Sequence, residues 1–455
     1  MTAASPPTAS RATLSTLLTL AFPIVLSRAS QTVVGLSDAI MVAHLGAASL
    51  AATSTGAANA FSLLILPMGI TFIVSSFAAQ LFGKGDLASA RRYGWYGLVV
   101  AALTQVVSVA SIPLFAPIVG LLPYEAEVKT LMVSYLTWRI LCGGAAIGIE
   151  ALANYYGGLG RTLPGMVANL VAMVLNVALN WVLINGAASI PAMGVKGAAL
   201  ASTLSTLVAF AGFFAFFLRE GRGLPKPTLS LAEFGRMLRF GLPSGLNWFF
   251  EFLAFIFFVN VVVGGLGTPA VAALNSVIQL NSVSFMPSFA VASAGAVLVG
   301  QAIGAGRKDD VPHVVAMSAG TAAVWMATAG VLYFTIPGLL LLPFARGADA
   351  EAVMTFGVRM LMVSAAWQVF DACATSLAEC LRGAGDTLYP LVMRLVIAWV
   401  VFVPGAWVTV RYFDGGDVGA MVWLVVYLAL LALVLFLRFR SGRWRHLELI
   451  EPTAS

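Results

Sequence analysis

Residues 23–52, PIVLSRASQTVVGLSDAIMVAHLGAASLAA, line up with residues 243–273, PSGLNWFFEFLAFIFFVNVVVGGLGTPAVAA. Both stretches open on a proline (Pro23, Pro243), run through an apolar segment and end in a glycine-containing break followed by an alanine-rich restart. Further on, QLFGKGD from Gln80 answers QAIGAGR from Gln301, and GLGRTLPGM from Gly158 answers GAGDTLYPL from Gly383. Three matches in the same order, loop motifs among them, mark an internal duplication rather than a chance likeness of apolar helices.

The composition says where such a chain resides. Of 455 residues, 60% are hydrophobic and only 10% charged, against about 25% charged in a soluble domain. A soluble protein with a large core would need surface charges this chain lacks. Apolar segments of about 20 residues between polar breaks predict transmembrane helices. Twelve are expected, at 15–44, 51–80, 94–120, 130–157, 165–186, 197–218, 240–264, 271–302, 313–342, 355–381, 388–412 and 418–438. The fold class is therefore an all-α integral membrane protein of two six-helix repeats. The division is a polar tail 1–14, a first lobe 15–218, a cytoplasmic linker 219–239, a second lobe 240–438 and a tail 439–455. Six is an even number, so both repeats enter the membrane in the same direction. Parallel repeats related by an axis along the membrane normal are a transporter architecture, with the site at their interface.

Lys and Arg orient the bundle. Seventeen fall on one side: Arg11, Lys84, Arg91, Arg92, Arg161, Arg219, Arg222, Lys226, Arg236, Arg239, Arg307, Lys308, Arg382, Arg438, Arg440, Arg443 and Arg445. Five fall on the other: Lys129, Lys196, Arg346, Arg359 and Arg411. Both termini and the linker are thus expected in the cytoplasm, and the basic balance reflects topology and lipid headgroups, not nucleic acid. The first fifteen residues are rich in Ser, Thr, Ala and Pro with one Arg, unlike a signal peptide. Cys142, Cys373 and Cys380 all sit in apolar segments and form no disulfide framework.

A charge at the bilayer centre costs about 2.5–3.5 kcal/mol on insertion scales, so each one there calls for a partner or a use. The ionisable groups inside the expected spans are Arg28, Asp38, Arg139, Glu150, Glu251, Asp371, Glu379 and Arg394. Asp38, Glu251 and Asp371 lie deepest. By the repeat, Glu251 aligns with Gln31, which is two helical turns from Asp38 and on nearly the same stripe. Asp371 aligns with Ala146, one turn from Glu150. One isolated acid can serve only to lock helices together. Three of them, with few arginines, favour a site that binds either a proton, a Na⁺ ion or a cationic ligand, since a carboxylate in low dielectric exchanges such occupants.

Asn247, Trp248, Phe255 and Phe258 share the face of Glu251. Aromatic faces attract organic cations, and the carboxylate supplies the countercharge. Trp367, one turn before Asp371, repeats the arrangement. Asn176, Asn180 and Asn185 in the fifth helix, and Gln279 and Asn281 in the eighth, are either glue between helices or cavity ligands. Gln31, Asn176, Asn180, Asn247, Trp248, Phe255, Gln279 and Trp367 are the candidate substrate contacts. Pro23, Pro67, Pro113, Pro243, Pro287, Pro390 and Pro404 interrupt helices, as is ordinary in membranes. FGKGD lacks the spacing and the Ser/Thr of a phosphate-binding loop, so no ATP site is expected and an ion gradient must supply the energy. His44, His313 and His446 form no cluster, and no nucleophile motif points to an enzyme. No repeated selectivity motif points to a channel.

SQTVVGLSDAIMVAHLG (30–46), LPSGLNWFFE (242–251), DACATSLAECLRGAGDT (371–387) and NVALNW (176–181) resemble the multidrug and toxic compound extrusion (MATE) family, NorM-like branch. The resemblance runs from Pro23 to about Arg440. It implies two lobes around a central cleft and export of cationic amphipathic compounds against H⁺ or Na⁺ by alternating access. It also implies a C-lobe cation site at Glu251 and Asp371, where Na⁺ would sit, and Asp38 as the acid of the N-lobe. Where family members often carry a Tyr one turn before the tenth-helix Asp, this chain has Trp367, which has no hydroxyl for an ion, and so H⁺ coupling stays open. No cofactor other than the coupling ion is expected, and the protein is expected to be a monomer of the bacterial inner membrane. One rival is a lipid-linked precursor flippase of the same superfamily, for which Arg28, Arg139 and Arg394 would line an anion site. Another is a membrane enzyme or structural subunit, indifferent to loss of the interior acids.

Overall fold

The computed structural model describes residues 12–187, 190–223, 227–344 and 350–450. Arg11, Lys226 and Arg346, counted above for orientation, lie outside them, as do the first residues of the 1–14 tail and the last of the 439–455 tail. Among the described residues, twelve helices are long and apolar enough to cross a membrane. They are α1 (Leu14–Ala43), α2 (Ala47–Lys84), α3 (Leu87–Gly120), α4 (Ala126–Gly158), α5 (Leu163–Asn185), α6 (Gly194–Glu220), α7 (Leu231–Leu266), α8 (Thr268–Gly304), α9 (Lys308–Thr335), α10 (Ala350–Ala384), α11 (Leu388–Tyr412) and α12 (Gly416–Arg440).

Several helices outrun the hydropathy pattern, because their first turns are amphipathic. α3 begins at Leu87 rather than 94, capped by Asp86, whose carboxylate accepts from the Ser89 amide at 2.9 Å. Arg91 and Arg92 had disguised that turn as loop. α7 begins at Leu231, inside the expected linker. There Met237 is fully buried, and Phe234 packs against Tyr96. The Tyr96 hydroxyl accepts from the Ser230 amide at 2.8 Å and donates to Glu233 at 2.7 Å, while Arg92 pairs with Glu233 at 2.9 Å. By contrast, the segment expected as one helix at 313–342 is broken: α9 ends at Thr335 and Pro337 starts a separate turn of helix to Leu341. The residue before a proline disfavours the helical conformation, which explains the stop.

The chain divides into two compact units, and the division does not fall in the linker. One unit comprises Pro23–Phe82 and Asp86–Gly245; the other runs from Leu246 onward and takes in Gly83–Gly85 and the described residues before Pro23. Each division of α1 and α7 thus lies at or beside its repeat-aligned proline. Within the first unit α5 packs on α6 and α3 on the second part of α4; within the second, α10 packs on α8, α9 and α12.

The loop-motif glycines place equivalent helices in backbone contact in both units. A Cβ added at Gly158 would meet the Ser75 carbonyl oxygen of α2 at 2.6 Å, and one added at Gly383 would meet the Ala296 carbonyl oxygen of α8 at 2.4 Å. Backbone cannot step aside as a flexible side chain can, so overpacking here costs about 1–3 kcal/mol or more. Gly158→Val and Gly383→Val are each expected to lower the melting temperature in detergent by several degrees. Gly212→Ala, with nothing within 4 Å of its added Cβ, should leave it unchanged.

Candidate functional site

In the first unit, two stripes face one another. Gln31 and Asp38 of α1 stand opposite Asn169, Asn176 and Asn180 of α5, the latter spaced by two turns and one. Asp38 is buried, with 6% of its surface exposed. One carboxylate oxygen accepts from the side-chain amides of Asn176 at 3.2 Å and Asn180 at 2.5 Å; the other accepts from the Ser202 hydroxyl of α6 at 3.0 Å. Asn176 also donates to Ser202 at 2.9 Å. A buried carboxylate needs such donors, and here two other helices provide them. Of the three fifth-helix asparagines expected as glue or cavity ligands, Asn176 and Asn180 are engaged with Asp38, and Asn185 instead donates to its own helix at Trp181.

Gln31 enters a second network. Its amide donates to Glu150 of α4 at 3.1 Å and to Asn169 at 3.3 Å. Arg28 grips Glu150 with two parallel hydrogen bonds of 3.0 Å, and Asn169 donates to Ser27 at 2.7 Å. A planar guanidinium fork matched to a carboxylate is the strong form of an ion pair. Arg139 donates to Cys142 at 2.7 Å and contributes positive potential at Asp38. The four charges named here, Arg28 and Arg139 against Asp38 and Glu150, sum to zero.

The second unit is arranged differently. Glu251 of α7 forms an ion pair with Arg394 of α11. Asp371 of α10 lies near both, within electrostatic reach, and accepts from the Thr375 hydroxyl at 3.3 Å. A narrow crevice is lined by Asn247, Phe250, Glu251, Arg394 and Trp399, among others. Three buried polar atoms around it have no partner within the protein: Asn247 Oδ1, Arg394 Nε and Trp399 Nε1. Glu379 is paired with Arg382 at 2.5 Å one turn along α10. Counting Glu251, Asp371 and Glu379 against Arg382 and Arg394, this unit keeps one surplus negative charge.

The remaining candidates lie on α7, α8 and α10. Trp248 packs edge-on against Phe289 of α8 at 5.5 Å, and Phe255 leans on Phe258 at 6.4 Å. Trp367 is buried one turn before Asp371. Gln279 is exposed on α8 and stands apart from the bonded trio of Asn281, Ser364 and Gln368. Two π-helical turns, Phe258–Val263 in α7 and Ile397–Phe402 in α11, follow the two members of the ion pair. Phe258 and Phe402 touch at 5.0 Å. Such turns recur at functional sites because they re-aim side chains, and no feature of composition announced them. Ser202, Thr375 and the Arg394 partnership were also missed, although the repeat could have drawn attention to position 394.

Residues 23–182 and 243–408 match the MatE family, each segment opening on one of the aligned prolines. The chain belongs to this family. This MATE protein is 28% identical to a probable multidrug resistance protein NorM of Thermotoga maritima, over 94% of the chain and 92% of that protein. It is 30% identical to a protein of the same name from Mesorhizobium japonicum, over 96% and 94%. Among solved structures, a MOP superfamily transporter from Pyrococcus furiosus superposes with a TM-score of 0.86 at 21% identity, covering 95% of this chain and 97% of that one. A multidrug resistance MATE family transporter in an outward-facing conformation superposes at 0.85 with 21% identity, over the same shares. The fold is thus the MATE fold, and the protein is a multi-pass, NorM-like membrane protein.

Deleting a donor from a buried carboxylate leaves the charge undersatisfied, at about 1–3 kcal/mol. Asn180→Ala is expected to lower the melting temperature of the purified protein by several degrees. Asn185→Ala, which removes only an exposed bond to backbone, should change it little.

Proposed function

We propose that this protein is a secondary multidrug exporter of the bacterial inner membrane, with both termini cytoplasmic, that moves cationic amphipathic compounds outward in exchange for H⁺ or Na⁺. The observation that carries the reading is the surplus negative charge among Glu251, Asp371 and Arg394, whereas Arg28 and Arg139 offset Asp38 and Glu150 in the first unit. An uncompensated carboxylate in hydrocarbon is costly unless it is used. Its use here is to take turns between a coupling cation and a cationic cargo, which is the minimal chemistry of antiport. The names of the NorM relatives support the choice of cargo, and Trp248, Phe255 and Trp367 supply aromatic surface nearby. Asn247 Oδ1, without a protein partner, is an oxygen suited to a cation. Gln31, Asn176, Asn180 and Gln279 fall behind these as substrate contacts, the first three being engaged already by carboxylates.

An anionic cargo is the weaker reading. Of the arginines that would receive a lipid-linked headgroup, Arg28 is held by Glu150 and Arg394 by Glu251. The protein works as a monomer and carries its cargo chemically unchanged.

Ethidium uptake into everted vesicles, driven separately by an imposed pH gradient or an imposed Na⁺ gradient, tests this. The wild type should respond to one gradient, and Asp371→Asn and Glu251→Gln should each lose at least tenfold of that rate. Wild-type vesicles inert under both gradients would overturn the reading in favour of the flippase.

A further inference from the structure

The duplication offers an internal control for the Glu251–Arg394 pair. Glu251 stands eight residues after Pro243, and Gln31 eight after Pro23. Arg394 stands eleven after Gly383, and Asn169 eleven after Gly158. The two positions that form an ion pair between α7 and α11 are therefore the two that form a neutral hydrogen bond between α1 and α5, Gln31 to Asn169 at 3.3 Å. The same clasp between the same pair of helices is made without charge in one unit and with charge in the other. Holding the helices together does not require an ion pair.

Nor is the pair explained as a balance of charge, since a neutral clasp would be balanced already. What Arg394 changes is the cluster's sum. Glu251 and Asp371 alone amount to two negative charges; with Arg394 they amount to one. The groups facing Arg394 are Glu251 of α7, Asp371 of α10 and Tyr427 of α12, and α8 carries no ionisable side chain at all. Arg394 is the cation whose charge acts on Asp371; on α10, Arg359 is paired with Asp417 and Arg382 with Glu379. Arg394 is 11% exposed and Glu251 32%, so the guanidinium is fixed within protein while the carboxylate keeps an accessible edge.

We propose that Arg394 sets the charge capacity of the coupling site at one: by neutralising Glu251 it leaves a single exchangeable negative charge, centred on Asp371, for one proton or one monovalent cation per cycle. The inference rests on the antiport reading above. Arg394 is a positioning and specificity-determining residue, and Glu251 acts in the exchange mainly by anchoring it. A guanidinium suits this use better than an ammonium, because it stays charged at all accessible pH and holds a carboxylate through a planar fork.

Charge-compensated variants decide the matter. Glu251→Gln leaves Arg394 against Asp371, a sum of zero, and should abolish ethidium efflux. Glu251→Gln combined with Arg394→Asn rebuilds the neutral Gln31–Asn169 clasp and restores a sum of minus one; it should recover efflux to within about threefold of wild type. Arg394→Asn alone should carry two protons or two Na⁺ per ethidium, so that its efflux becomes sensitive to an imposed membrane potential, while the double variant matches the wild type in this respect. A double variant as inactive as Glu251→Gln would overturn the proposal and make Glu251 itself the exchanging group.

A second readout does not depend on transport. Trp399 lines the crevice beside Arg394, so tryptophan fluorescence of the purified protein can follow protonation of the cluster. One transition is expected in the wild type and the double variant, two in Arg394→Asn and none in Asp371→Asn. Identical titrations of wild type and Arg394→Asn would overturn the proposal even if ethidium is not the cargo. The expected pattern without ethidium efflux would uphold it and overturn the multidrug reading alone.

Discussion

Within hydrocarbon a carboxylate has no water to turn to, and Asp38, Glu150 and Glu251 are each met by a donor or a cation that another helix delivers. Asp38 draws α1, α5 and α6 together through two asparagines and a serine. Glu150 draws α4 to α1 through the fork of Arg28. Glu251 draws α7 to α11. These contacts prescribe which faces of the helices meet, because apolar side chains gain nothing by leaving lipid tails for one another. The polar stripes therefore specify the packing, and the glycines at 158 and 383 permit the approach.

Besides the π-helical turns of α7 and α11, the C-terminal unit departs from the first in its charges. Its scaffold repeats the first unit position by position at the prolines, the loop motifs, the glycine contacts and the α1–α5 clasp. Its charges do not. Where the first unit has Gln31, Asn169 and Ala146, the second has Glu251, Arg394 and Asp371. The duplicated framework kept its spacing while the chemistry drifted, and the sum of that drift is one negative charge in a place where charge is expensive.

Much of this was legible before any coordinates. Twelve spans, the duplication and the deep acids follow from apolar run length, ordered motif matches and the rarity of charge in the spans, and the family from the resemblance of four motifs. The ends of α3 and α7 were not, because hydropathy reads Arg91, Arg92, Glu233 and Arg236 as loop, whereas the folded helices bury Arg91 against Phe217, pair Arg92 with Glu233 and bury Met237. The pairings were not legible either. Gln31 and Asp38 were placed on one stripe of α1, but which helix they face depends on how α1 rotates against α5, and that is settled by tertiary contact. Arg394 stood among the interior charges with nothing to mark it as the partner of Glu251; only the three-dimensional clasp, compared with Gln31 and Asn169, gives it a meaning.

The division at Pro23 and Leu246 bears on how the chain is made. A protein synthesised from its N-terminus would ordinarily complete its first half before the second emerges. Here the unit that begins at Pro23 also includes the opening of α7 through Gly245, so it stays unfinished until the ribosome has passed the linker. Conversely, the first turns of α1 belong with helices synthesised last. Early helices must therefore wait in the bilayer with surfaces unmatched, and neither half expressed by itself up to the linker would contain all of its own parts.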